Sequence, residues 1–206
     1  MSGRPPRRRG RTALALIIGG AGAMMAGPAA AHDGTGLPGG FASGFGHPLG
    51  GFDHLLAMVS VGLWGAFLGR PLSYALPVIF PAVMVLGAVA GMVDVALPPV
   101  QIGIALSVVI LGSCIALALR APVWLAALIV AMFAVCHGYA HGRELPSAAD
   151  PIGYSAGFVL ATGLLHLFGI GIGTLNHWRR GRIATRSMGG AVAGIGLWFL
   201  FTAMTA

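Results

Sequence analysis

Two short stretches place imidazoles and carboxylates where the surrounding sequence is almost wholly apolar. In HGYAHGRE, residues 137–144, His137, His141 and Glu144 stand at i, i+4 and i+7. On a helix this spacing gathers them within about 60° of one another, as one polar stripe. In GHPLGGFDHLLAM, residues 46–58, His47, His54 and Met58 share a face if a single helix runs back to His47, with Asp53 one position round. Pro48, Gly50 and Gly51 leave open the alternative that His47 sits in a loop or caps the helix. Thr162 and His166, at i and i+4, form a third polar pair. Imidazole with carboxylate is the donor mixture that suits a divalent transition metal such as nickel, zinc or cobalt. Met58 and Cys136 adjoin these motifs and are read as packing residues rather than ligands.

The elements that must position these groups are membrane helices. Only 8% of the 206 residues are charged and 57% are hydrophobic, more apolar surface than a soluble domain of this size can hide. Ionisable groups inside a membrane normally face a bundle interior or a wet cavity and mark a pathway or a site. The first residues have a basic stretch, an apolar run from about Ala13 to Ala26 and small residues at Ala29–Ala31, the pattern of a secretory signal peptide. The expected organisation is therefore a signal peptide over 1–31, cleaved after Ala31, and a membrane domain over 32–206. Cleavage there would leave His32 with a free amine beside its imidazole, a potential metal hook weighed against an unstructured start. Five of the twelve basic residues fall before position 12, so the mature chain carries little excess charge and nucleic acid is not an expected partner.

Apolar segments near 47–69, 74–94, 98–119, 122–142, 151–175 and 187–206 predict an all-α polytopic bundle of six spanning helices surrounded by lipid. Pro77 and Pro81 fall inside the second segment, where a kink is expected. Glycine runs, such as Gly62-x-x-Gly65 and Gly87-x-x-x-Gly91, allow close helix approach. A cleaved signal and six crossings put both mature ends in the periplasm. Arg70, Arg120, Arg179, Arg180, Arg182 and Arg186 then lie in cytoplasmic connections, as the positive-inside rule requires, and only Arg143 lies in an outer one. Counted by helical rise, Glu144 and His47 lie near the periplasmic surface. His141, His54 and His137 fall within the outer ~10 Å and His166 lies at ~20 Å. This is a ladder of donors leading inward rather than one compact cluster; a ladder points to passage of a cation, whereas a cluster would point to catalysis. No phosphate-binding loop is present, and the chain has no lysine at all.

HPLGGFDHLLAM, HGYAHGRE and GFVLATGLLHLFG together resemble the motifs of the HupE/UreJ family of membrane metal permeases, over nearly all the mature chain. Cys136 stands where that pattern leads one to expect an aromatic residue. The resemblance implies uptake of nickel, or of cobalt, across the inner (cytoplasmic) membrane of a bacterium, with the metal as cargo and no resident cofactor. It implies transport roles for His47, Asp53, His54, His137, His141 and Glu144, and hydrogenase or urease maturation proteins as recipients. His166 joins the metal-binding set on its position. The rival reading is an intramembrane zinc hydrolase in which Asp53 or Glu144 activates water. It needs three ligands converging on one metal at about 2.0–2.2 Å, and the sequence has no HExxH word.

Overall fold

The structure is a computed structural model that describes residues 40–97, 99–144 and 150–205. The expected signal peptide and His32 lie outside the described residues, as does the side chain of Glu144. Seven α-helices follow one another among the described residues, with no strand: α1 (Phe41–Gly50), α2 (Phe52–Leu68), α3 (Leu72–Met92), α4 (Val100–Ala116), α5 (Val123–Glu144), α6 (Pro151–Gly173) and α7 (Arg179–Thr205). A 3-10 turn, Thr174–His177, joins the last two.

Helices α3, α5, α6 and α7 are each long and apolar enough to cross a bilayer, and α1 with α2 makes a fifth candidate, bent by 85°. Helix α4 has 17 residues, about 25 Å of helix against the ~30 Å hydrocarbon thickness. Large apolar side chains, among them Leu86, Trp124, Phe168 and Trp198, are exposed on the outside of the bundle, while Trp64, Phe80, Met58 and Leu111 fill its interior. In water such a surface would be an association hazard; in lipid it is the solvated face. The chain is a multi-pass membrane protein.

At the first motif the sequence leaves a single helix, a loop and a helix cap open. A continuous helix from His47 through Met58 does not form: the chain turns at Gly51, whose extended backbone ends α1 and begins α2. Helix α1 instead packs on α6, where a Cβ at Gly44 would collide with the Tyr154 backbone and one at Gly157 with that of Phe41. The bend is thus held by contacts distant in sequence.

Helices α3 and α5 lie side by side and run parallel. Gly87 and Gly91 of α3 press against Val135 and Tyr139 of α5, and Gly138 and Gly142 of α5 press against Met84 and Ala88 of α3. With no side chains between them the two backbones come into contact, which in lipid is a main source of helix association. Pro77 and Pro81 both lie within α3, and the helix runs on through them. Asp150 caps α6 by accepting the Gly153 N–H at 2.9 Å, with Pro151 at the first helical position.

Candidate metal site

The described histidines of the two motifs meet near the end of the bundle where α5 finishes and α6 begins. The bend at Gly51 carries His47 back over the bundle, so that its ring centroid lies 4.8 Å from that of His141 and 6.4 Å from that of His54. His54, in the first turn of α2, lies 4.7 Å from His137 and 4.8 Å from His141. Three helices thereby contribute four imidazoles to one cluster. His137 and His141 are buried. Aromatic walls enclose the group: Phe158 is 4.3 Å from His141, and Tyr154 is 5.9 Å from His47. A cavity of about 70 Å³ between α3 and α6 reaches His141 past Met84, Ala88 and Tyr154, room for a few water molecules.

Hydrogen bonds fix which nitrogen of two rings is available. Asp53 Oδ1 lies 2.8 Å from His54 Nδ1 and also accepts the His54 backbone N–H at 2.8 Å. An ionised carboxylate only accepts, so Nδ1 carries the proton, and any lone pair the ring offers is at Nε2. That atom is buried and has no hydrogen-bond partner. At His137 the same logic runs through Ser107. The Ser107 hydroxyl donates its one proton to the Ile104 carbonyl at 2.6 Å and lies 3.1 Å from His137 Nε2. It can therefore only accept from that nitrogen, which leaves the lone pair on His137 at Nδ1, again buried and without a partner. A histidine whose second nitrogen is tied to a carboxylate or hydroxyl is the usual form of a metal-ligating imidazole.

These rings meet edge to face, and no three His, Cys, Asp or Glu side chains among the described residues are arranged to hold a metal ion together. The cluster is a set of neighbouring donors that side-chain rotation would have to bring onto a cation.

His166 stands apart from this group. It lies deep on α6, fully buried, with the ring of Phe80 between it and His137, at 5.5 Å from each. The expected ladder is thus replaced by one outer cluster, the arrangement that would point to catalysis, and one separate inner histidine. Met58 is buried in the core, and Cys136 Sγ points to Gly103 of α4. Neither takes part in the ring contacts.

Ser107, Tyr154, Phe158 and Phe80 were not singled out in the sequence. Tyr154 and Phe158 carried a signal, a four-residue spacing that puts two aromatics on one face of α6. Ser107 carried almost none, because a serine in a membrane helix commonly bonds its own helix backbone, as this one also does.

The family profile described as HupE / UreJ protein matches residues 21–199. Protein HupE of Rhizobium leguminosarum bv. viciae is 42% identical over 172 residues, which is 83% of this chain and 90% of that protein. No solved structure matches the chain.

Proposed function

The chain belongs to the HupE/UreJ family, and from that premise we propose that it is a permease that takes up a divalent transition metal. Nickel is the first choice of cargo and cobalt the second. The metal moves from periplasm to cytoplasm across the inner membrane, to supply hydrogenase or urease maturation proteins. The observation that carries this reading is the pair His54 and His137: two buried rings 4.7 Å apart, each with one nitrogen tied and a lone pair left over. Such nitrogens suit a cation that sheds part of its water.

Metal arrives at His47 and at Glu144, on the last residue of α5. It exchanges water for the imidazoles of His141, His54 and His137, with Asp53 supplying the compensating negative charge. Neutral imidazoles and a single carboxylate bind less tightly than a closed charged cage, and a carrier must release what it binds. Helix α4 is the sixth crossing. The parallel packing of α3 and α5 supports this reading, since α4 is the helix between them in the chain.

Cells lacking other nickel importers and expressing wild type, His54→Ala or His137→Ala provide the test. Labelled nickel is supplied at limiting concentration, with cobalt and zinc as competitors and with or without a protonophore. Each substitution should lower uptake by tenfold or more, on the order of the losses seen when a metal site is disrupted. Wild-type uptake by both variants would defeat the assignment.

A further inference from the structure

Beneath the outer cluster lies a second group of polar atoms that the outer site leaves unused. His166 is fully buried, and neither of its ring nitrogens has a hydrogen-bond partner. Thr162, one turn earlier on the same face of α6, is also fully buried, and its hydroxyl has no partner. Buried polar groups are nearly always satisfied, so two orphans one turn apart need an explanation.

Helix α3 brings a third polar atom. Proline has no N–H, so Pro81 deprives the carbonyl four residues before it, that of Pro77, of its regular helical donor. Pro77 stands one turn before Phe80, whose ring lies 5.5 Å from that of His166, so it is on the side of α3 that meets His166. By helical rise, Pro77 on α3 and His166 on α6 both lie roughly 22 Å from the outer ends of their helices, and His137 lies about 10 Å from the end of α5. Phe80 stands between the two levels. On the far side, Gly62 of α2 touches the His166 backbone so closely that a Cβ would collide with its carbonyl.

We infer that His166, Thr162 and the Pro77 carbonyl form a second, inner binding station for the transported divalent cation, separate from the outer histidine cluster. The inference rests on the permease reading above. One nitrogen and two neutral oxygens, completed by water, make a weaker set than the outer imidazoles with Asp53, because no anion is present. A cation passing inward thus goes from a charged set to a neutral one, from which it leaves more readily.

The test is to count Ni²⁺ bound per chain, by equilibrium dialysis of the purified full-length protein in lipid nanodiscs. Wild type should bind two ions, the second more weakly. His166→Ala should bind one, with the affinity of the tighter site unchanged. The double variant His54→Ala/His137→Ala should keep only the weaker site. Thr162→Val, nearly the same shape and without the donor oxygen, should weaken the second site about tenfold and leave the first alone, which guards against a misfolded His166 variant. Two undiminished sites in both His166→Ala and Thr162→Val, or a single wild-type site lost only in the double variant, would overturn the inner station and leave the permease reading intact. No bound Ni²⁺ in wild type, with normal uptake in the outer variants, would remove both.

Discussion

Ser107 has one hydroxyl proton, and the bond to the Ile104 carbonyl uses it. Its influence on His137 is therefore that of an acceptor, as the influence of Asp53 on His54 is that of a carboxylate. In the proposed permease both residues would act at one remove from the cation, by deciding which nitrogen keeps its lone pair. Ser107→Ala should free His137 to rotate or to protonate the wrong nitrogen and should raise the KM for nickel uptake about tenfold. Asp53→Asn, which also removes the negative charge and can turn a donor toward Nδ1, should cost between about tenfold and a hundredfold. Uptake kinetics at matched membrane levels distinguish these outcomes from loss of protein. An unchanged KM in both variants would show that the hydrogen bonds do not tune the ligands.

At the scale of helices, the site depends on glycine. Gly138 and Gly142 directly follow His137 and His141, and they give α5 two faces at the same level. The glycine face lies against the α3 backbone, and the histidine face, 100° away, turns toward α2. Substituting Gly138 by Leu would drive a side chain into the Met84 carbonyl and force α5 away from α3. Overpacking of this kind costs about 1–3 kcal/mol or more, and both the melting temperature in detergent and nickel uptake should fall. Gly163 of α6 has open space where its Cβ would be, so Gly163→Ala should be neutral or gain up to about 1 kcal/mol in helix propensity. Equal effects of the two substitutions in thermal melts would refute the packing argument. Much of this level was legible beforehand. Helix positions, the Gly87-x-x-x-Gly91 spacing and the stripe of His137 and His141 follow from patterns that are local in the sequence. The bend at Gly51 was not legible, because Gly50 and Gly51 permit a turn without requiring one. What selects it is the docking of α1 on α6, more than a hundred residues away. The split between outer cluster and inner histidine was hidden for the same reason, since helical rise gives depth and says nothing of the Phe80 ring that lies between.

Across the whole molecule, charge is divided between the two ends of the bundle. Arg70, Arg120 and the arginines from Arg179 to Arg186 lie where α2 meets α3, α4 meets α5 and α6 meets α7. Arg186 donates to the Ala116 carbonyl at 2.8 Å, tying the start of α7 to the end of α4 at that face. Asp53, Asp94 and Asp150 lie at the opposite end, where Arg143 pairs with Asp94. Positive residues tend to stay on the cytoplasmic side of a bacterial membrane, so the proposed permease would present its histidine cluster to the periplasm. Six crossings would then bring the C-terminus out to the periplasm as well. The proposed sixth crossing is α4, whose length of about 25 Å local thinning of the bilayer would accommodate. Thinning by a few ångströms costs only fractions of a kcal/mol per ångström. Alkaline phosphatase, active only outside the cytoplasm, should be active when fused after Thr205 and inactive when fused after Arg120. If α4 did not cross, the chain would have five spans and the fusion after Thr205 would be silent. That result would require α3 and α5 to run in opposite directions, against the register of Gly87, Gly91, Gly138 and Gly142.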